Sequence, residues 1–316
     1  MQFVSWLEDR ELDFGYDGPK GTFVVPINPP KSIFEIFADK LKNAENKYKV
    51  KVRWYIMTSE ENDNVTKNFF EKNNYFDYGK ENIKFFKQAE LPLLNINGKI
   101  LLSDKDKIFM SPNGNGGVFD ALHKENIISE LKENGIKYLG IGNVDNILND
   151  FLEPSFIGMM SKDNIELGVK TVTKVSPEEK VGVLCKINGR VGVVEYTEIS
   201  NELANSRDDK GNLEFGEAYF GSAIYDIELL ERIIKELMYH VAKKKNSYIN
   251  DKGDFVISET PNTYKFEMFI FDAFNVADTY LIYSVKREEN FAPIKNKEGV
   301  DSPETAVKLY NDYYKT

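Results

Sequence analysis

Ile136-Lys137-Tyr138-Leu139-Gly140-Ile141-Gly142-Asn143-Val144-Asp145 is the stretch on which the fold turns. Its apolar residues run on almost without alternation, the pattern of a strand covered on both faces at the centre of a parallel sheet. Parallel neighbours need helical crossovers, and helical periods lie on its N-terminal side. Residues 127–133 read as helix. Before them comes Ser111-Pro112-Asn113-Gly114-Asn115-Gly116-Gly117-Val118-Phe119-Asp120-Ala121-Leu122. Three glycines in four residues let backbone approach a ligand closely, and the apolar beat at Val118, Ala121 and Leu122 opens a helix whose first amides suit an anion or a base edge. The same composition also suits a surface turn built on an Asn-Gly pair.

Further outward the pattern repeats. Residues 22–27 are a β-rich run, Ser32 N-caps a helix with apolar face Ile33, Ile36, Phe37 and Leu41, residues 50–57 are strand, 62–73 helix and 83–86 strand. Residues 100–102 and 108–110 bracket a charged hairpin tip. In the second half, 169–175, 181–187 and 191–196 are strands, the last two joined at Asn188-Gly189. Ile227, Leu230, Ile234, Leu237 and Val241 form one helical stripe from Asp226, with Lys243-Lys244-Lys245 in its last turn. Residues 266–276 are aromatic and apolar, 280–285 strand and 303–314 a closing helix. Strands alternating with helices argue an α/β fold.

The 316 residues carry a net charge of -10, with 41% hydrophobic and 29% charged residues. Such a chain is globular and a poor non-specific binder of nucleic acid or anionic membrane. Cys185 is the single cysteine, so an internal disulfide and a cysteine-based zinc site are excluded, and the expected compartment is the cytoplasm. No apolar run reaches membrane-spanning length.

Ligands of open α/β sheets bind at the carboxyl ends of strands. Asp145 ends the central strand, where a carboxylate can hold Mg²⁺ together with substrate phosphates or can cap a helix starting at Ile147. The Walker and dinucleotide fingerprints are absent, and hydrolytic triads and metalloprotease patterns are too. His123 and His240 stand alone. Lys20, in the turn Pro19-Lys20-Gly21, and Lys295, in the non-periodic Phe291-Ala292-Pro293-Ile294-Lys295-Asn296, stand apart from the other lysines by position alone.

Taken in order, these segments resemble the UDP-N-acetylglucosamine pyrophosphorylase family of UTP–sugar-1-phosphate uridylyltransferases. The likeness runs from Pro19 to about Ala306. It includes Trp54-Tyr55-Ile56-Met57-Thr58-Ser59, Phe85-Phe86-Lys87-Gln88, the glycine loop, Val144-Asp145-Asn146-Ile147-Leu148, Val181-Gly182-Val183, Val194-Glu195-Tyr196-Thr197-Glu198-Ile199, Phe269-Ile270-Phe271-Asp272 and Phe291 to Asn296. It implies a nucleotide-diphospho-sugar transferase (Rossmann-like) domain with a mixed, mainly parallel sheet, and a reaction of UTP with a sugar 1-phosphate to give UDP-sugar and pyrophosphate. It further implies that Lys20 and Lys295 meet phosphates, that Asp145 holds Mg²⁺ and the nucleotide, and that Gln88, Gly114 and Asn115 read uridine. Gly182, Glu195, Tyr219, Phe269 and Phe271 fall at sugar-binding positions.

Three departures accompany the likeness. The family carries asparagines where this chain has Tyr219 and Ser222, which opens glucose 1-phosphate or another hexose phosphate as an alternative to the N-acetylated sugar. Residues 19–316 match the catalytic domain without the family's N-terminal helices and C-terminal β-rich domain. Upstream, residues 1–18 are aberrant: where the family has the glycine loop Leu-Ala-Gly-Gly-Gln-Gly-Thr-Arg that wraps UTP, this chain reads Trp6-Leu7-Glu8-Asp9-Arg10-Glu11-Leu12-Asp13. The codons CTG GCT GGA GGA CAG GGA ACT AGA T, read one base later, give that second sequence residue for residue. The segment is therefore expected to be a frameshifted copy of the loop, leaving either an impaired enzyme or a non-catalytic UDP-sugar-binding descendant.

Overall fold

The computed structural model describes residues 1–6, 16–250 and 252–315. Its main sheet has nine strands: β1 Gln2–Trp6, β2 Trp54–Thr58, β3 Ile83–Lys87, β4 Tyr138–Asn143, β5 Leu167–Thr173, β6 Gly182–Ile187, β7 Arg190–Val194, β8 Glu217–Asp226 and β9 Tyr280–Ser284. The order is β7-β6-β8-β4-β1-β2-β3, with β5 on the other side of β8 and β9 beyond it. The strands β4, β1, β2 and β3 are all parallel, as is the pair β5 and β9. Strand β8 runs antiparallel to β4, β5 and β6.

The longer helices are α1 Ile33–Tyr48, α2 Asp63–Lys72, α3 Gly117–Lys124, α4 Ile127–Glu133, α5 Pro154–Asp163, α6 Ile227–Glu236 and α7 Pro303–Tyr314. They cover both faces of the sheet, and the two-residue period of a strand decides which side chain meets which layer. Phe3, Trp54 and Ile56 pack with Phe34, Phe37 and Phe70 of α1 and α2. Their neighbours Val4, Tyr55 and Met57 point the other way, into a core shared with Leu122 of α3, Leu131 of α4 and Leu230 of α6. Helix α1 starts where the sequence says. The Ser32 hydroxyl accepts from the Glu35 amide at 3.1 Å, and Ile33, Ile36, Phe37 and Leu41 are buried.

The fold departs from the sequence reading in several places. The helix after Asp226 ends at Glu236, and His240–Lys244 is instead a strand, laddered antiparallel onto Thr263–Glu267 from His240 opposite Glu267 to Lys244 opposite Thr263. Leu237 is already extended and Val241 is exposed, so the apparent stripe joined two unlike elements; Lys243 and Lys244 belong to a sheet and Lys245 follows it, none of them at a helix end. Strand β8 carries no strand signal in the sequence, because Ala218-Tyr219-Phe220-Gly221-Ser222-Ala223-Ile224 mixes small and aromatic residues without alternation. Gln2–Trp6, inside the stretch expected to be aberrant, pairs with β4 on one side and β2 on the other. The run at 22–27 contains only the pair Val24–Val25, after a 3₁₀ turn at Lys20–Thr22. Ile147 and Leu148 form a turn and no helix begins there, so Asp145 is not a helix cap.

Candidate active site

A cleft of about 960 Å³ opens at the carboxyl ends of the parallel strands, between Met57 of β2, Gln88 beyond β3, Asn143 at the end of β4 and Asp145 beyond it. Lys20, Gly114, Asn115, Gly182, Glu195, Tyr219, Phe269, Phe271 and Lys295 line it as well. Residues separated by up to 275 positions in sequence therefore share one cavity, and the residues that the resemblance places at phosphate, uridine and sugar positions are among them.

Asp145 and Lys295 are brought together by backbone. Asn146 Oδ1 accepts from the Ala292 amide at 2.8 Å, Asn146 Nδ2 donates to the Asn290 carbonyl at 2.8 Å, and the Ile294 amide donates to the Asp145 carbonyl at 2.9 Å. The non-periodic segment around Lys295 is thus stitched along the end of β4. Lys20 is buried, at 5% exposure, in a turn closed by the Thr22 amide and hydroxyl on the Pro19 carbonyl, each at 2.8 Å.

The loop 113–117 is held from behind. Its Gly116 amide donates to the Met268 carbonyl at 2.9 Å, the Met268 amide to the Asn113 carbonyl at 2.8 Å, and the Ile270 amide to Asn115 Oδ1 at 2.9 Å. Gln88 Nε2 donates to Asn113 Oδ1 at 3.2 Å and to the Gly114 carbonyl. This corrects the reading of the glycines. Gly114 sits at φ +85°, and a β-carbon there would lie 2.4 Å from the Met268 carbonyl oxygen. Close packing against Glu267 and Met268 requires the glycine, irrespective of any ligand. The amides of Gly116, Gly117 and Val118 are likewise spent on Met268, Gly114 and Asn115, so the start of α3 is not an open anion site.

Across the cleft, burial lifts the Glu195 carboxyl above its ordinary value; the Glu198 charge adds to this and Lys295 opposes it. Phe269 and Phe271 stack with ring centres 5.2 Å apart. His240, expected to stand alone, has Nε2 2.6 Å from Asp272 Oδ2 and its ring 4.9 Å from that of Phe269. The Tyr219 ring meets Phe274 edge-on at 5.2 Å, and its hydroxyl is buried without a hydrogen-bond partner. Tyr219 thus borders the cleft while its hydroxyl belongs to the core.

Four lysines that the sequence did not assign to a site also line the cavity: Lys180, Lys244, Lys245 and Lys265. Lys244 and Lys265 reach it only because His240–Lys244 and Thr263–Glu267 pair, which no local pattern announced. With Lys20 and Lys295 they oppose three carboxylates, Asp145, Glu195 and Glu267, so an acidic protein has a basic cleft. Such a cavity concentrates anions. Among the described residues no three His, Cys, Asp or Glu side chains group as a metal cage. The buried Asp145 is of the kind that could hold Mg²⁺, which takes one or two carboxylates and fills its remaining positions with water and substrate phosphate. Residues 7–15, where the frameshifted loop was expected, lie outside the described residues. None of the described helices is long and apolar enough to cross a membrane.

The model of a family described as UTP–glucose-1-phosphate uridylyltransferase matches residues 11–301. The chain is 36% identical over 309 residues to the Saccharomyces cerevisiae UDP-N-acetylglucosamine pyrophosphorylase, covering 94% of this chain and 65% of the yeast protein. It is 36% identical over 314 residues to the human UDP-N-acetylhexosamine pyrophosphorylase-like protein 1, covering 95% and 62%. The crystal structure of an Entamoeba histolytica protein provisionally named UDP-N-acetylglucosamine pyrophosphorylase superposes with a TM-score of 0.89 at 36% identity, over 99% of this chain and 81% of that one. The chain spans just under two thirds of the length of the yeast and human relatives.

Proposed function

The chain belongs to the UTP–glucose-1-phosphate uridylyltransferase family, and from that premise we propose that it joins UTP and a sugar 1-phosphate into a UDP-sugar, with UDP-N-acetylglucosamine or a close relative as product. The observation that carries this reading is the convergence of Lys20, Asp145 and Lys295 on one basic cleft beside the loop 113–117. A phosphate oxygen of the sugar 1-phosphate attacks the α-phosphorus of UTP in line. As that bond forms, the bond from the α-phosphorus to its bridging oxygen breaks and pyrophosphate leaves.

Two anions must be held at contact distance, so positioning and charge neutralisation do most of the work. Lys20 and Lys295 supply fixed positive charge to the phosphates. Gln88, Gly114 and Asn115 hold the uridine, the Gln88 side-chain carbonyl and the Asn115 side-chain NH₂ offering edges to a base while Gly114 keeps the loop close. Glu195 accepts from sugar hydroxyls, near Gly182 and the stacked Phe269 and Phe271. Asp145 would hold Mg²⁺, which when bound spreads the charge of the phosphates. The lone thiol Cys185 suits the cytoplasm, where cysteines stay reduced.

A second reading, a chain that binds UDP-sugar without turnover, is favoured by the acidic sequence Glu8-Asp9-Arg10-Glu11 where a phosphate loop belongs. The test is pyrophosphate release from UTP, Mg²⁺ and a panel including N-acetylglucosamine, N-acetylgalactosamine and glucose 1-phosphates. It is run on this chain, with and without EDTA, and on one whose residues 6–13 are restored to the glycine loop. Turnover by the restored chain supports the transferase. Binding of UDP-sugar without turnover by either chain supports the second reading, and absence of both discards the two together.

A further inference from the structure

We propose that Asn143 reads the sugar in this cleft, its side-chain carbonyl accepting a hydrogen bond from a hydroxyl or an acylamino N–H of the hexose. The inference rests on the uridylyltransferase reading and deepens it. Asn143 ends β4, two residues before Asp145, and lines the cavity. Its Oδ1 is buried and has no hydrogen-bond partner. Folded chains pair nearly all such atoms, and one left open at the wall of a ligand cleft points to a donor that arrives with the ligand.

The neighbouring strand is shaped to receive this amide. Gly142 pairs with Ser222 across β4 and β8, which sets Asn143 against Gly221. Gly221 sits at φ +83°, and a β-carbon there would come within 2.9 Å of Asn143 Cγ and Nδ2. The glycine therefore leaves room for the amide, and a side chain at 221 would evict it. Among the described residues lining that wall, no other side chain offers the same function. The Tyr219 hydroxyl is buried in the core, and Gly182 and Gly221 have no side chains. Glu195 accepts from the β6–β7 side of the cavity, so Asn143 supplies a second acceptor from the β4 side. Two acceptors on different walls fix the orientation of a ring in a way that one cannot.

Calorimetric titration of the full chain and of Asn143→Ala with UDP, UDP-glucose and UDP-N-acetylglucosamine tests the assignment, with thermal melts confirming that both are folded. Asn143→Ala is expected to bind UDP within about twofold of the parent while losing roughly tenfold or more for at least one of the two UDP-sugars. Asn143→Leu, which keeps the bulk and removes the amide, is expected to behave the same way. Equal losses for UDP and the UDP-sugars, or no loss, would overturn the inference and leave the uridylyltransferase reading intact. A parent chain that binds none of the three would overturn that reading and this inference with it.

Discussion

Lys170 Nζ donates to Asn290 Oδ1 at 3.3 Å, and through that contact a strand of the sheet grips the loop that carries Lys295. The ammonium, at 1% exposure, also meets the Asp150 carbonyl at 2.6 Å and Glu153 Oε2 at 2.8 Å. Asn290 in turn accepts from Asn146, the residue next to Asp145. One buried cation therefore braces both segments that bring Asp145 and Lys295 together. Breaking a buried ion pair from one side costs about 3–5 kcal/mol; with Glu153 partly exposed, the lower end applies. Lys170→Met is expected to lose about 3 kcal/mol of unfolding free energy by urea titration, and a loss under about 1 kcal/mol would show that the brace is not needed.

Gly114 carries a different kind of constraint. Alanine there meets the left-handed backbone cost of roughly 1–2 kcal/mol and a β-carbon 2.4 Å from the Met268 carbonyl oxygen. Gly114→Ala should therefore lower stability by at least about 2 kcal/mol, as large as a core truncation. It should also weaken UDP binding, since the loop must move. Gly98, in a hairpin turn with open space around it, is the control. Gly98→Ala pays only the backbone cost, so equal effects on UDP binding at the two positions would refute the packing argument.

What the sequence made legible follows from this. Helices with a cap and a stripe, such as α1 and α7, were legible because local chemistry specifies them. So was the central strand β4, whose apolar run needs cover on both faces. The gathering of these residues on one cleft was legible through ordered resemblance and not through spacing, since Lys20 and Lys295 are 275 residues apart. Strand β8 was invisible because its small residues are chosen by three neighbouring strands and by Asn143, none of them adjacent in sequence. The helix drawn through Leu237 to Lys245 failed for a related reason: the ladder with Thr263–Glu267 outweighed a local helical beat.

The lysine pair gives the most direct kinetic prediction. Lys20→Ala and Lys295→Ala, each removing fixed charge from the phosphates, should lower kcat by on the order of 10²–10³, as loss of a charge-stabilising donor does. The rate is measured in the frame-restored chain, where turnover is expected. Lys105, on the hairpin between 104 and 107 and away from the cleft, supplies the comparison. If Lys105→Ala slows the reaction as much as either, the cleft lysines hold no special place.

Glu195 sets stability against function. Burial first, then Glu198, raise its carboxyl above the 4.5 of an ordinary glutamate, with Lys295 pulling the other way. Between 4.5 and that raised value the folded chain binds more protons than the unfolded one, so stability falls as pH climbs through the window and stays lowered above it. Glu195→Gln removes the ionisation. Relative to the parent, the variant should gain stability on going from pH 4.5 to pH 8, as read from thermal melts across that range; a difference independent of pH would show that the carboxyl is not strained. The same substitution should lower kcat/KM for the sugar 1-phosphate about 10–100-fold, because a hydrogen bond to a charged acceptor becomes one to a neutral amide. A variant that melts higher at neutral pH and turns over more slowly would identify Glu195 as a group kept for the substrate at the expense of the fold.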